Sequence, residues 1–309
     1  MTIAADHPTG PVPPTGPPRP TGAAIWWLAI RPKILPASIT PIVVGSAVAI
    51  AEDGFHLLTA IVALLVAMAL QITSNLANDL FDFKWGADVH RVGPMRITQS
   101  GLATPRQMGV AVGVAVACSL AGGLYLVYRG GWPMLVVGLL AILAALAYTG
   151  GPYPLGYNGL GDLFVFVFFG LVGVAGSAYV QTGELTWLAV LCAVPIGCLA
   201  TAIIVANNLR DIETDRAAGK RTLAVFLGRE RTIVEFAVLF AVAYLVTPLL
   251  WATGQIGLGW LLTLASAPLA VILAARARAA TGRELVPVLI GTSRLIFVFG
   301  ALFAVGIAL

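Results

Sequence analysis

Nine apolar stretches, each of about 20 residues, occupy most of this chain and limit what it can fold into. A helix of that length crosses a bilayer and satisfies its backbone polar groups within itself. Of the 309 residues, 59% are hydrophobic and only 10% are charged, which is more apolar than a soluble core requires. The sequence therefore predicts an all-α, multispanning membrane protein with its helices around a central cavity. The stretches lie at about 34–51, 57–78, 109–128, 132–149, 160–181, 185–207, 232–252, 257–275 and 286–309.

The basic residues indicate how this domain is oriented. Lys and Arg near the ends of spans are retained on the cytoplasmic side, and nearly all of the 18 precede the first stretch or follow the second, sixth and eighth. We therefore expect the N-terminus and the loops that carry these residues to face the cytoplasm from the cell (inner) membrane. The net charge of +4 suits anionic membrane lipid rather than nucleic acid. Residues 1–22, rich in Pro, Gly and Thr, are predicted to form a disordered cytoplasmic tail before a single domain, 23–309.

Two polar clusters lie at the ends of the second and sixth stretches. The first cluster is Asn75, Asn78, Asp79 and Asp82, followed by Asp88; the second cluster is Asn207, Asn208, Asp211 and Asp215. Residues three, four or seven apart share a helix face, so the first four residues form one stripe, and Asn208, Asp211 and Asp215 form another with Asn207 beside it. Carboxylates this dense repel one another unless a cation joins them, and hard oxygen ligands suit Mg²⁺ with phosphate. The clusters predict a magnesium diphosphate site, and the alternative is a pair of solvated helix ends with salt bridges.

The two clusters also indicate an internal repeat. Asn75 and Asn207 are 132 residues apart in the sequence, as are Asp79 and Asp211. Membrane enzymes and transporters often contain such duplications, with the site where the repeats meet. We expect stretches one to four and five to eight to be the repeats, with the ninth added.

Basic residues in the neighbouring loops complete a pocket for a diphosphate. Arg offers two parallel hydrogen bonds to phosphate and Lys offers a point charge. Orientation in the membrane would place cations in these loops in any case. The candidates are Lys84, Arg91, Arg96, Arg210, Lys220 and Arg221.

These motifs resemble those of a known enzyme superfamily. Asn78-Asp79-x-x-Asp82 with Asp88, and Asn208-x-Arg210-Asp211-x-x-x-Asp215-x-x-x-Gly219-Lys220-x-Thr222, are similar to the paired motifs of the UbiA superfamily of intramembrane prenyltransferases. Five segments are similar to one branch of this superfamily, the MenA-type 1,4-dihydroxy-2-naphthoate polyprenyltransferases. They are Arg31-Pro32-Lys33, the Phe81 to Asp88 segment, Arg91-Val92-Gly93-Pro94, Thr98-Gln99-Ser100-Gly101 and the segment from Asn207 to Leu223.

The resemblance implies a reaction and a set of site residues. A polyprenyl diphosphate would bind through Mg²⁺ held by Asp79, Asp82, Asp211 and Asp215. Lys220 would stabilise the departing pyrophosphate, and an electron-rich aromatic acid would attack the allylic carbon. A naphthoate acceptor would then lose its carboxyl group. The remaining polar residues are placed on the substrate-binding side: Asn75, Asn78, Lys84, Asp88, Arg91, Arg96, Asn207, Asn208, Arg210 and Arg221.

The loop after the fourth stretch is rich in Gly, Pro and Tyr and contains no basic residue. It runs from Tyr148 through Tyr153 to Tyr157, followed by Gly161-Asp162. The resemblance puts this segment over the active site, where tyrosine rings can stabilise an allylic cation or stack on the acceptor. Asp162 can orient the acceptor hydroxyl or accept its proton. The alternatives are an aromatic belt at the membrane interface for the tyrosines and a helix cap for Asp162.

Two further polar residues are candidates for the site. His90 beside Asp88 is either a base or an ordinary solvated loop histidine. Arg294 within the last stretch, next to Ser293, either meets the acceptor carboxylate or forms a structural ion pair.

The sequence therefore predicts a Mg²⁺-dependent prenyltransferase that joins a polyprenyl chain to 1,4-dihydroxy-2-naphthoate in menaquinone or phylloquinone synthesis. One alternative is the same transfer to another aromatic acceptor, such as 4-hydroxybenzoate or homogentisate. A more distant alternative is a cation-coupled transporter, whose site would be expected nearer the midplane of the membrane than these clusters are.

Overall fold

A computed structural model describes residues 20–87 and 93–309, and each regular element in these two ranges is a helix, as the sequence predicts. The helices are α1 (Ala23–Ile30), α2 (Pro36–Ala51), α3 (Leu57–Lys84), α4 (Pro105–Gly130), α5 (Trp132–Ala147), α6 (Gly161–Thr182), α7 (Trp187–Ala217), α8 (Leu223–Leu227), α9 (Arg229–Ala252), α10 (Leu258–Ala279) and α11 (Gly282–Ala308). Short 3₁₀ turns occupy Pro32–Ile34 and Leu155–Asn158.

Each predicted apolar stretch coincides with a helix, but not every helix has the length of a full crossing. Within the described residues, seven helices are long and apolar enough to span a membrane, namely α3, α4, α6, α7, α9, α10 and α11. An eighth span is formed if Ala23–Ile34 and Pro36–Ala51, bent by 53°, are taken together. The remaining helix, α5, has 16 residues and is about 24 Å long, shorter than a hydrocarbon core of about 30 Å. The count is therefore seven or eight by length and composition, rather than the nine predicted.

The bend between α1 and α2 has a local cause. Arg31 adopts a left-handed conformation with φ of 55°, which ends α1, and Pro36 starts α2. The side-chain amide of Asn75 on α3 donates a hydrogen bond of 2.9 Å to the carbonyl oxygen of Ile30. This bond attaches the end of α1 to the helix that carries the first cluster.

The long helix α7 forms the centre of the bundle, where its buried face packs against α2, α6, α9 and α11. The backbones of α6 and α7 touch, because a Cβ atom added at Gly170 would lie 2.7 Å from the Cα atom of Gly197. The backbones of α10 and α11 meet in the same way at Gly259 and Gly306. Small residues at such crossings allow the close packing by which membrane helices associate.

A second group of helices, α3, α4 and α5, packs beside this core. Between the two groups lies an apolar cavity of about 210 Å³, lined by residues of α2 to α6. Ser74 on α3 and Tyr148, which follows α5, line this cavity. Because Ser74 adjoins Asn75, the cavity begins beside the first cluster.

Candidate active site

The ends of α3 and α7 lie side by side, and one lysine joins them. The Nζ atom of Lys220 lies 3.1 Å from Oδ1 of Asp82 and 3.8 Å from Oδ1 of Asp215. The side chains are nearly buried, with exposed fractions of 3% for Asp82, 11% for Lys220 and 12% for Asp215. The two clusters, far apart in sequence, therefore meet around a shared ammonium group.

Both aspartates stand at the same position of matching helix ends. After α7, the N–H of Lys220 donates to the carbonyl oxygen of Asp215 at 2.9 Å, and Gly219 has φ of 74°. After α3, the N–H of Ala87 donates to the carbonyl oxygen of Asp82, also at 2.9 Å, and Gly86 has φ of 68°. This is the Schellman motif, in which glycine takes the left-handed conformation that ends a helix. The two helix ends therefore share one local geometry, and the duplication of whole helix groups stays a prediction.

Asp82 has further partners, one of which was not among the predicted site residues. The guanidinium of Arg96 donates to Oδ2 of Asp82 at 2.7 Å, and the Tyr157 hydroxyl donates to Oδ1. The Lys220 ammonium also lies 4.4 Å from the centre of the Tyr157 ring, a cation–π contact. Tyr157 belongs to the tyrosine-rich loop quoted above, and only the fold reveals which tyrosine of that loop reaches the clusters.

The other two predicted metal ligands, Asp79 and Asp211, are also buried. Asp79 accepts hydrogen bonds from a loop backbone, and Asp211 accepts them from an arginine side chain. Both carboxylate oxygens of Asp79 accept backbone N–H bonds, from Ile97 at 2.9 Å and from Thr98 at 2.8 Å. Asp211 accepts from the guanidinium of Arg210, whose Nε lies 2.7 Å from Oδ1 of Asp211. Arg210 also donates to the Asn207 side chain at 2.8 Å. Asp79 therefore orders the loop after α3, and Asp211 belongs to a charge-paired group on α7.

The chemistry of these side chains fits a magnesium ion, although they do not form a closed cage. No three carboxylate, His or Cys groups within residues 20–87 and 93–309 lie close enough to hold one metal ion together. Mg²⁺ in phosphate-binding sites usually takes only one or two carboxylates and completes its shell with phosphate and water. A carboxylate offers about four lone-pair sites, so even Asp82, which accepts from Arg96, Tyr157 and Lys220, has capacity left for a metal ion.

The cluster asparagines are held among the helices. Asn75 bonds to α1, as described above, and the side-chain oxygen of Asn78 accepts from the Thr149 hydroxyl. Asn208 is buried on α7. These amides therefore help to assemble the walls around the carboxylates.

Several predicted substrate-binding residues point elsewhere. Lys84 is exposed, with its ammonium 5.5 Å from the centre of the Phe81 ring. Arg221 is exposed too, and its backbone N–H donates to the Tyr157 carbonyl oxygen at 2.7 Å. Tyr153 is 59% exposed. The structure does not bring these side chains into contact with the two clusters.

Arg294 is exposed on α11. The predictions for Asp88, His90 and Arg91 lie outside the described residues.

Tyr148 and Asp162 lie together between the clusters and the apolar cavity. A Cβ atom added at Gly161 would lie 2.8 Å from the Tyr148 hydroxyl. Burial, and then the negative charges of Asp162, Asp215 and Asp82, raise the pKa of the Tyr148 phenol, so it stays protonated. Asp162 is 7% exposed, and its Oδ1 atom has no hydrogen-bond partner among the residues the structure describes. A buried carboxylate oxygen is thus available to a bound molecule.

Comparison with known proteins agrees with this geometry. Residues 38–289 match the UbiA prenyltransferase family. The chain is 42% identical over 287 residues to the 1,4-dihydroxy-2-naphthoate octaprenyltransferase of Mycobacterium tuberculosis, covering 92% of this chain and 97% of that protein.

Solved structures share the fold. A UbiA homologue from Aeropyrum pernix K1 superposes with a TM-score of 0.68 at 19% identity, covering 88% of this chain and 98% of its own. A UbiA homologue from Archaeoglobus fulgidus, bound to GPP and Mg²⁺, superposes with a TM-score of 0.66 at 16% identity, covering 92% and 99%.

Proposed function

Because this chain belongs to the UbiA prenyltransferase family, we propose that it transfers a polyprenyl group from a polyprenyl diphosphate to 1,4-dihydroxy-2-naphthoate, which loses its carboxylate as CO₂. The product is a precursor of menaquinone or phylloquinone. The observation that carries this proposal is the meeting of Asp82 and Asp215 around Lys220 beside an apolar cavity. Such a site suits a substrate with an ionic head and a long hydrocarbon tail.

The ionic head of the donor is a diphosphate, and both acidic and basic side chains of this chain would surround it. Asp79, Asp82, Asp211 and Asp215 would hold Mg²⁺, which neutralises phosphate charge when bound. Lys220 and Arg96, which pair with Asp82 here, would contact the phosphate oxygens of the bound donor. Both cations would then stabilise the negative charge that grows on the leaving pyrophosphate. The same residues thus keep the carboxylates paired before binding and receive the substrate afterwards.

The acceptor would react on the other side of Tyr148. As the ring carbon of the acceptor forms its bond to C1 of the prenyl group, the C1–O bond to pyrophosphate breaks. Asp162 takes the proton of the acceptor hydroxyl in this step and returns it after the carboxylate leaves as CO₂, whose bonding electrons restore the aromatic ring. The Tyr148 ring faces a carbon with cationic character, and the apolar walls exclude water that would capture it.

The cavity would hold the beginning of the prenyl tail, which continues toward lipid. With the basic loops on the cytoplasmic side of the cell membrane, both clusters would open toward the cytoplasm, from which the acceptor arrives and where the diphosphate head of the donor lies. Exposed apolar side chains on the outer helices suit the surrounding hydrocarbon.

The test is mass spectrometry of the product formed by the purified protein with Mg²⁺, a mixture of prenyl diphosphates and each acceptor in turn. We expect a prenylated dihydroxynaphthalene that lacks the carboxyl group, together with released pyrophosphate. Product from 4-hydroxybenzoate or homogentisate but none from the naphthoate would contradict the proposed acceptor. Uptake of a solute into vesicles with no pyrophosphate release would contradict prenyl transfer itself.

A further inference from the structure

Gln71 is a buried polar residue in the wall of the apolar cavity, and it belongs to neither of the two polar clusters. It lies on α3, four residues before Asn75 and eight before Asp79, so the three residues share one face of the helix. Its side chain lines the cavity, and the residue is 8% exposed. The Oε1 atom is buried and accepts no hydrogen bond from any residue in the described part of the chain.

A purely structural role explains other polar side chains of this cavity but does not explain Gln71. Three serines that line it donate to carbonyl oxygens of their own helices or of the adjoining turn. Ser38 bonds to Leu35 at 2.9 Å, Ser119 to Ala115 at 2.9 Å and Ser177 to Val174 at 3.0 Å. A buried amide oxygen without a donor costs free energy that folding does not recover. A group on a bound molecule can supply the missing hydrogen bond.

We propose that the Gln71 amide hydrogen-bonds a hydroxyl group of the aromatic acceptor and thereby fixes which ring carbon faces the prenyl group. This inference rests on the proposed function. The amide oxygen accepts a hydrogen bond from the hydroxyl, and an uncharged amide needs no counter-ion in an apolar wall.

The position of Gln71 matches this role. Eight residues of helix separate it from Asp79 by about 12 Å along the axis of α3. An aromatic ring and the reacting carbon of the donor can occupy that interval, with the ionic head of the donor at the clusters. Gln71 therefore lies where the acceptor would be recognised, rather than where the diphosphate binds.

The experiment compares Gln71→Leu, which keeps the size of the side chain and removes both polar atoms, with Thr73→Val, which removes a buried hydroxyl of the same helix outside the cavity lining. In Gln71→Leu we expect kcat/KM for the naphthoate to fall about tenfold, the loss of one hydrogen bond, while the KM of the prenyl diphosphate stays unchanged. In Thr73→Val both values should stay at the wild-type level, since the Thr73 hydroxyl donates to the Ala69 carbonyl oxygen of its own helix at 2.8 Å. An unchanged KM for the donor also shows that Gln71→Leu is folded.

Inhibition by two acceptor analogues separates recognition from a general loss of packing. In 1-hydroxy-2-naphthoate and 4-hydroxy-2-naphthoate, one of the two hydroxyl groups is missing. Gln71→Leu should raise the inhibition constant of the analogue that keeps the contacted hydroxyl about tenfold and leave that of the other unchanged. Equal effects on both analogues, or an unchanged kcat/KM for the naphthoate, would overturn the role of Gln71. A wild-type protein that forms no prenylated naphthalene would instead overturn the proposed function.

Discussion

Asp82 shows how much of the site depends on one side chain. It accepts from Arg96, Tyr157 and Lys220, which come from three different segments of the chain. Because the carboxylate is buried, removal of its charge leaves two cations without their shared partner. The same carboxylate is a proposed ligand of the magnesium ion. Its loss should therefore affect both the assembly of the site and the binding of the donor.

We predict that Asp82→Asn lowers kcat/KM at least about 100-fold, because both the charge that balances the cations and a proposed metal ligand are lost. Product formation from labelled prenyl diphosphate measures this. Glu213→Gln is the matched control, since Glu213 is an exposed carboxylate near the end of α7 that pairs with Arg216 at 3.0 Å. An Asp82→Asn variant with more than a tenth of wild-type activity would show that this carboxylate is not required.

A second residue-scale prediction concerns Asp162 as the proposed base. Asp162→Asn should reduce kcat about 100-fold at neutral pH, since the amide cannot accept the acceptor's proton. The difference from wild type should narrow as pH rises through the pKa of the acceptor hydroxyl, which then ionises unaided. A pH profile of kcat for both proteins measures this. A ratio that stays constant across the profile would indicate a structural role for Asp162.

At the scale of helices, the matching ends of α3 and α7 place the two clusters. Each helix stops with a glycine of positive φ, and the next N–H returns to the carbonyl oxygen of the aspartate that faces the site. Lys220 follows Gly219 directly, so the helix end itself delivers the shared ammonium group. The geometry of the cap is thus part of the site.

We predict that Gly219→Ala lowers the free energy of unfolding by about 1 kcal/mol, because alanine is strained at φ of 74°. It should also lower kcat/KM, because Lys220 moves with the cap. Thermal unfolding in detergent and turnover measured on the same preparation check both effects. Gly113→Ala on α4 is the control: this glycine is exposed and a Cβ atom there meets nothing within 4 Å. Equal stability and equal turnover in the two variants would show that the Gly219 cap does not position Lys220.

At the scale of the whole molecule, the packing of two helix groups creates the apolar cavity. Gly138 on α5 lines this cavity, and a Cβ atom added there meets no other atom within 4 Å. A larger side chain at this position can therefore grow into the space proposed for the prenyl tail without displacing protein.

We predict that Gly138→Leu shifts the preferred donor toward shorter prenyl diphosphates, since the added side chain fills part of the tail space. Competition among donors of different length, read by mass spectrometry of the products, measures the shift. Gly113→Leu, on a glycine outside the cavity lining, should leave the distribution of products unchanged. An unchanged distribution in Gly138→Leu would place the tail elsewhere.

Some residues near the site could not be identified from local sequence patterns. Tyr157 and Gln71 belong to segments whose structure was predicted, a loop and a helix, yet neither was identified as a site residue. Lys84 and Arg221 were identified by charge and lie exposed. Charge and spacing indicate which chemical groups a segment carries. Whether such a group contacts the site depends on the direction in which its side chain leaves the folded backbone.

The amino-acid sequence by itself determined that the chain is a membrane protein, where its helices lie and which polar residues form the two stripes. Hydropathy and helical period are properties of neighbouring residues, so they can be read from the sequence. Only the tertiary structure decided that Asp82 and Lys220, 138 residues apart, lie 3.1 Å from each other. It also decided that Gln71, whose amide oxygen accepts no hydrogen bond from the described residues, lines the apolar cavity. Those outcomes depend on how closely glycine-lined helices approach and at which residue each helix ends, and both are set by packing between segments distant in sequence.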